Sequence, residues 1–415
     1  MPTTPTLFES SATQNGEDGA KDDTDNRKHV RRVGWIPEEW DAVTLGELLS
    51  LSNGKSRPDD MRDQKTEEYT TPVFGGNGVM GYAQEQLVEG PRIIIGRVGA
   101  LCGVVHLAKG KYWVSDNAMH TQNLEALEVP SRFLRYLLDF SDLGRYRQES
   151  SQPLITQRIV KQKKVPLPPP EEQTRIARIL SIWDRAIEQV DALVEQKRER
   201  LHGLRQRLLT GEVRFPEFDK PWVDEEIGSL LKRVYRYVDW DDEATYDLVS
   251  IKRDSQGMIF RESLKGSDIK TKTLNTLKEA DFVISRMQVV HGATAYVSEE
   301  FDGMKASDSY IILVPRDEDR IDTEFFAELS KLPYLYHIAF TSSYGVHIEK
   351  MTFNLEWYFE SEVHIPPSVE EQRKIVSFLN EVKSEINTLE EKRDALQRQK
   401  KGLMQRLLTG AVRTV

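Results

Sequence analysis

The chain has 415 residues, 30% of them charged, and a formal net charge of −10, a length too great for one ordinary core. No apolar run approaches the roughly 18 residues that a membrane span needs, and Met1 to Ser10 lacks the basic and apolar regions of a secretory signal. The single cysteine, Cys102, excludes an internal disulfide and a cysteine-based zinc site. A cytoplasmic protein without membrane contact is expected. The acidic balance disfavours polyanionic partners unless cations are locally concentrated, because affinity for phosphate comes from Lys and Arg.

The first 34 residues read as a disordered acidic tail, with Glu9, Glu17, Asp18, Asp22, Asp23 and Asp25 among Ser, Thr, Gly and Asn. A globule is expected over 35–167. Its runs Arg92–Arg97, Val104–Leu107 and Tyr112–Val114 have strand character, Ser131–Phe140 reads as a helix, and Arg145, Arg147, Arg158, Lys161, Lys163 and Lys164 crowd its end. A long helix over 168–211 follows. Residues 212–365 form a second globule with strand-like Phe282–Arg286, Ala295–Val297 and Tyr310–Val314 and helical Thr323–Leu332, and 366–415 supply a second long helix and the C-terminus. Each globule is expected to be α+β with a curved, mostly antiparallel sheet.

The chain is an internal duplication. The string QRLLTG ends both long helices, at Gln206–Gly211 and Gln405–Gly410, and Glu171-Glu172-Gln173 recurs 199 residues on as Glu370-Glu371-Gln372. A 4,3 spacing of apolar positions marks a coiled-coil seam. In the first helix it comprises Ile176, Leu180, Trp183, Ile187, Val190, Val194, Lys197, Leu201, Leu204 and Leu208; in the second Ile375, Leu379, Val382, Ile386, Leu389, Arg393, Leu396, Lys400, Leu403 and Leu407. Pairing within one chain requires the helices to run antiparallel, each rod about 60 Å long, with the globules related by a pseudo-two-fold axis. Ser368 with Glu371 is a candidate capping box, and Gly211 and Gly410 are candidate helix stops. Trp40-x4-Leu45-Gly46 is answered by Trp222-x4-Ile227-Gly228, but between the Trp and the Glu-Glu-Gln the second globule is longer. The helices repeat strictly while the globules have diverged.

On the Pro-Pro-x-Glu-Glu-Gln opening near Pro168 and its relative at Pro367, both heptad helices, the QRLLTG endings and the two Trp-x4-(Leu/Ile)-Gly starts, the chain resembles the specificity subunit of type I restriction-modification enzymes. The resemblance covers nearly everything from Trp35 onward. It implies two target-recognition domains, each reading one half of a split, asymmetric site in double-stranded DNA. It also implies that the spacer helices dock two methyltransferase subunits carrying S-adenosylmethionine, that ATP-dependent restriction subunits join with ATP and Mg, and that this chain itself is not catalytic and holds no cofactor. The acidic tail departs from the pattern.

Enzymatic readings of the residues find little support. Phe74-Gly-Gly76-Asn-Gly78 imitates a cofactor loop, but Tyr82–Leu87 is too short for the helix such a loop requires. Asp59, Asp63 and Lys65 lie too close in sequence for a nuclease metal site, and His106, His120, His291, His337 and His347 show no metal spacing. A coiled-coil scaffold or stand-alone DNA-binding protein is the alternative, and the divergence of the globules beside constant helices favours a reader. Arg suits guanine, and Asn or Gln suits adenine. Candidate base or phosphate contacts are therefore Asn77, Arg97, Asn117, Arg145, Arg147 and Arg158 in the first globule, and Arg286, His291, Lys305, Tyr344 and His347 in the second.

Overall fold

The computed structural model describes residues 26–122, 124, 129–147, 153–345, 347–348 and 351–414. These fall into two compact units: unit one runs to Glu188 and takes up the chain again from Asp394, and unit two is Gln189–Arg393. Each long helix is thus divided near its middle, because its ends pack on globules, whereas the expected boundaries kept 168–211 and 366–415 as separate spacers.

Unit one contains β1 (Arg27–Val30), β2 (Gly34–Pro37), β3 (Asp41–Thr44), α1 (Leu45–Leu48), β4 (Leu51–Asn53), β5 (Thr71–Gly75), β6 (Gly78–Ala83), β7 (Val88–Glu89), β8 (Arg92–Gly96), β9 (Val105–Ala108), β10 (Lys111–Val114), β11 (Ala118–Thr121), α2 (Ser131–Phe140), α3 (Gln157–Gln162), β12 (Lys164–Leu167) and the start of α4 (Pro170–Leu209). Two four-stranded sheets, ordered β6-β5-β10-β7 and β4-β11-β8-β9, are accompanied by the pairs β1-β2 and β12-β3. Only β5 and β10 pair in parallel among these strands. In the Gly-rich Gly76–Gly78 segment, Gly76 and Asn77 form the turn of the β5-β6 hairpin and Gly78 opens β6, which leaves no helix for a cofactor loop.

The tail expected to reach residue 34 ends sooner. Residues 27–37 form the β1-β2 hairpin, and Arg27 donates to the carbonyls of Trp35 at 2.6 Å and Thr409 at 3.0 Å. Its anchor lies 382 residues away, beyond any local compositional signal. The acidic residues Glu9 to Asp25 lie outside the described residues.

Unit two contains the remainder of α4, β13 (Val223–Glu226), α5 (Ile227–Leu230), β14 (Leu231–Val234), β15 (Thr245–Ile251), β16 (Met258–Lys265), β17 (Leu274–Thr276), β18 (Phe282–Ser285), β19 (Thr294–Tyr296), β20 (Lys305–Ser307), β21 (Tyr310–Pro315), α6 (Thr323–Leu329), α7 (Pro333–Thr341), β22 (Ser343–Tyr344), β23 (Thr352–Phe353), α8 (Leu355–Phe359), β24 (Glu362–Ile365) and the start of α9 (Val369–Leu408). Its sheets, β16-β15-β20-β17 and β14-β21-β18-β19, repeat the strand order of unit one element for element, and β15 and β20 form the matching parallel pair. The helix expected over Thr323–Leu332 stops at Leu329, since Pro333 pushes Leu332 into extended backbone and starts α7.

The repeated motifs explain how the helices attach. In unit one, Ile176 and Leu180 from the opening of α4 share a buried core with Leu407 and Leu408 from the end of α9, Trp40 and Phe133. In unit two, Ile375 and Leu379 from the opening of α9 meet Leu208 and Leu209 from the end of α4, with Phe325 and Phe326. The double leucine of QRLLTG therefore buries in the unit where its helix ends. Gly211 and Gly410 follow at φ +71° and +66°, the left-handed turn that lets the chain leave the helix without a Cβ clash. That turn brings Arg214 and Arg413 back onto the opening of the other helix.

There, Glu172 is buried, accepts from Trp40 Nε1 at 3.0 Å, and takes two bonds of 2.9 Å from Arg413. Burial raises its pKa, yet the bonds from Arg413, the Thr414 amide and Trp40 outweigh this and hold the carboxyl below its ordinary value. Glu371 in unit two repeats the set, with Arg214 at 2.9 and 2.8 Å and Trp222 Nε1 at 3.2 Å. The adjoining glutamines fix the entry of the chain: Gln173 donates to Pro168 O at 2.8 Å, and Gln372 to Pro366 O and Arg320 O at 3.0 Å. Half of the expected capping box forms, since the Glu371 amide donates to Ser368 Oγ at 3.4 Å. The Glu371 side chain is committed to Arg214 instead.

Between their ends the helices form the expected antiparallel seam within each unit. In unit two, Asp191 pairs with Arg393 at 3.9 Å, Lys197 with Glu385, and Arg198 with Glu390 at 2.5 Å; in unit one, Lys400 pairs with Asp184 at 2.5 Å. Rising numbers on α4 meet falling numbers on α9. The cations at seam positions Lys197, Arg393 and Lys400 are thus paired across the seam. Val190, Val194, Val382 and Ile386 are buried, while Trp183, Ile187, Leu204 and Leu403 are half-buried. Exposed ion pairs contribute about 0–1 kcal/mol each, so those in mid-helix set register more than stability.

Two outcomes follow from these junctions. Arg413→Ala strands a buried Glu172, which costs about 3–5 kcal/mol, and scanning calorimetry should show loss of unit one's unfolding transition at its parental temperature while that of unit two is unchanged. At the second junction Glu328 is buried against Lys331, Lys383 and Arg205; burial raises its pKa, but these three cations pull it down to about 2. A depressed carboxyl stabilises above its unfolded pKa and loses that contribution as pH falls through the folded value. Denaturant titrations should show stability lost between about pH 4.5 and 2, and Glu328→Gln should lower stability at neutral pH while flattening this acid limb.

Candidate nucleic-acid interface

One end of the β4-β11-β8-β9 sheet in unit one gathers the polar residues suited to reading bases. The register sets Gly96 of β8 opposite Ala118 of β11, and Asn53 of β4 opposite Met119. Arg97, Asn117 and Asn53 therefore emerge at the same sheet end. The Arg97 amide donates to the Asn117 carbonyl at 2.8 Å, and the Arg97 guanidinium reaches the Asp116 carbonyl at 3.4 Å. Gln157 of α3 joins them, donating to Asn53 Oδ1 at 3.0 Å. Neither Asn53 nor Gln157 stands out in the sequence, because strand register and the return of α3 bring them here.

Asn77 and Asn117 line one cavity of about 300 Å³ with Gly76, Gly99 and Leu101. The approach that forms it depends on glycine: a Cβ on Gly96 would lie 2.1 Å from the Gly76 carbonyl oxygen. A neighbouring cavity of about 710 Å³ shares Ala100 and Leu101 and carries Arg145 and Arg147 on its far wall. Five expected contact residues, Asn77, Arg97, Asn117, Arg145 and Arg147, thus lie along one stretch of surface. Arg158, exposed on α3, lines neither cavity.

In unit two Arg286 follows β18 as Arg97 follows β8, and its amide donates to the Ser309 carbonyl at 3.0 Å where Arg97 meets Asn117. His291 closes a tight turn whose carbonyl accepts from the Asp254 amide at 2.7 Å, tying it to the β15-β16 loop. Tyr344 and His347 are exposed, and Tyr344 packs edge-on against Trp357 with centroids 6.0 Å apart. Lys305 points elsewhere: its ammonium donates to the Gly303 carbonyl, and burial holds its pKa below the ordinary value. An exposed pair that sequence patterning missed is Tyr235 and Tyr237, stacked at 5.7 Å with Arg233 over Tyr235 at 4.3 Å. Among the described residues, no group of three or more His, Cys, Asp or Glu side chains could hold a metal ion, and no helix is long and apolar enough to cross a membrane.

The two units share one strand order and carry different polar sets at the same sheet end. The chain belongs to the type I restriction modification DNA specificity family, whose model matches residues 37–196 and again 221–398. It is a DNA-recognition subunit, a non-catalytic component of such systems. The EcoprrI specificity subunit of Escherichia coli is 32% identical over 142 residues, covering 34% of this chain and 35% of that one. The MjaVIII specificity subunit of Methanocaldococcus jannaschii is 24% identical over 413 residues, covering 91% and 94%. Among solved structures, the type I restriction-modification S subunit from M. genitalium aligns over 89% of this chain and 96% of its own, with a TM-score of 0.57 at 17% identity. A chain from work on complex assembly and conformational transition of the type I R-M system aligns over 91% and 99%, with a TM-score of 0.51 and 17% identity. These two likenesses bear on the fold.

Gly96→Ala should test how the cavity lined by Asn77 and Asn117 is built. The added methyl must displace the Gly76 backbone, an overpacking cost of about 1–3 kcal/mol. The expected result is a lower melting temperature together with altered amide chemical shifts at Asn77 and Asn117; unchanged shifts would show that the loops do not depend on this contact.

Proposed function

We propose that residues 35–167 and 212–365 each read one half of an asymmetric, bipartite site in double-stranded DNA, and that the long helices over 168–211 and 366–415 dock two methyltransferase subunits. Those partners bring S-adenosylmethionine, and ATP-dependent restriction subunits bring ATP and Mg. The supporting observation is that strand order is the same in both units while the residues at the equivalent sheet ends differ: Arg97 with Asn117 in one, Arg286 with Ser309 in the other. Shared framework with unlike tips is what two different half-sites require. For the helices, Ile182 of α4 is 51% exposed, an aliphatic side chain that suits a partner helix.

The test is to substitute Arg97→Ala and Arg286→Ala separately, express each with its partner subunits, and map methylated sites across a genome. Each substitution should relax one half-site and leave the other intact, since a bidentate base contact discriminates by about 1–3 kcal/mol. If both variants alter the same half-site, or neither alters any, the assignment of one reader to each unit is wrong.

A further inference from the structure

Unit one carries a second concave surface beside the reading end. A cavity of about 590 Å³ lies between β9, α2 and α4 and is walled by Lys109, Arg132 and Arg185. All three are exposed, and among the described residues none lies within ion-pair distance of a carboxylate. Arg135 on the same wall is already engaged, 2.9 Å from Asp184 and over the Tyr136 ring at 5.0 Å. Asp184 in turn accepts from Lys400 and from the Tyr136 hydroxyl, both at 2.5 Å, so its charge is spent inside the junction. Glu188 is the one other acid lining the cavity. His106 faces it as a neutral group, because burial and then the neighbouring Arg135 lower its pKa.

The cations are not a requirement of packing α2 against the long helix. The corresponding groove in unit two, about 460 Å³ between α6 and α9, has Glu324 at the second helical position where unit one has Arg132, and Asn380 and Ser384 where it has Ser181 and Arg185. Asp322 there is paired with Arg373 at 3.3 Å, and Glu381 adds further negative charge. The same fold thus builds this groove with either sign.

We infer that the cavity of Lys109, Arg132 and Arg185 is a phosphate seat that holds the duplex backbone flanking the half-site read by unit one. The inference rests on the DNA-reading function proposed above. Three cations with no carboxylate partner among the described residues converge on a concave surface of a chain whose net charge is −10, and phosphate is the ligand whose affinity such cations supply. The position fits. Strand β9 leads from the Gly99–Val104 loop to Lys109, five residues beyond Val104, roughly 17 Å at about 3.3 Å per residue and about half a turn of B-form DNA. A duplex touching Asn77 and Arg97 can present its backbone at that distance.

The experiment uses the full chain and the triple variant Lys109→Ala/Arg132→Ala/Arg185→Ala, with Glu324→Gln as a control in the groove of unit two. Duplex affinity is measured by fluorescence anisotropy from 50 to 200 mM salt on cognate and random duplexes, and pyrophosphate binding by calorimetry. Each lost phosphate contact should reduce the salt slope by about 0.9. The triple variant should therefore show a slope smaller by about 2 to 3 and low-salt affinity weaker by at least about tenfold, with its melting temperature and preference for cognate DNA retained. An unchanged slope in a variant that still discriminates sinks this inference alone. A parent chain that never discriminates cognate from random duplex sinks the DNA-reading function instead. Pyrophosphate binding that the triple variant loses, beside an unchanged DNA slope, would assign the seat to a free phosphorylated ligand and overturn the duplex assignment.

Discussion

A buried carboxylate is tolerable only when its charge is answered at once, and this chain places one at the opening of each long helix. Burying an unpaired ion costs several kcal/mol; Glu172 avoids that cost through the fork of Arg413 and the indole of Trp40. The partners are 241 residues apart. Unit one is therefore complete only when the last residues of the chain have returned to it, and the Arg of the first half, Arg214, serves unit two through Glu371. The strict repetition of Glu-Glu-Gln, the double leucine, the turn glycine and the arginine three residues beyond is the repetition of a junction. Each half of the sequence supplies the opening of one junction and the closing end of the other.

Beyond the clamp the two junctions are free to differ, and they reverse polarity. Asp184 on α4 receives Arg135 and Tyr136 of its globule together with Lys400. At the equivalent place in unit two, Lys383 on α9 faces Glu328 of its globule, which also holds Arg205 and Lys331. The structural demand is that charge be matched where it is buried, and either sign on the helix meets it. Strand order obeys the same economy: β4 to β11 and β14 to β21 build the same two sheets from sequences that share little outside the Trp start.

What was legible in the sequence was what local periodicity and exact recurrence encode. The 4,3 spacing located both long helices, and QRLLTG and Glu-Glu-Gln marked their ends, because helix caps and seams are written in consecutive residues. Trp40-x4-Leu45-Gly46 was visible as a motif, but its reason was not: Trp40 is there for Glu172, Leu45 for the core, and Gly46 for the close passage of Lys161 on α3. The β1-β2 hairpin looked like tail because its anchor is Thr409. Lys305 looked available because nothing local reveals that its ammonium turns to Gly303. Asn53 and Gln157 were overlooked for the converse reason, since pairing register across β4 and β11 decides which side chains share a sheet end.

The division between fixed and variable parts has a physical basis in where the energy sits. Both clamps and both leucine pairs lie at helix ends, in cores where removing one partner is expensive, whereas the polar residues at these sheet ends are exposed or half-buried, and changes there seldom move stability by more than about 0.5 kcal/mol. The glycine crossing of Gly76 and Gly96 adds a local restraint that shapes the loops without reaching the clamp. A frame whose stability is concentrated at the junctions can therefore exchange the residues it presents at Asn77, Arg97, Asn117 or Arg286 with little consequence for folding. That separation lets one chain keep the same clamp at both junctions and still present different residues at the two sheet ends.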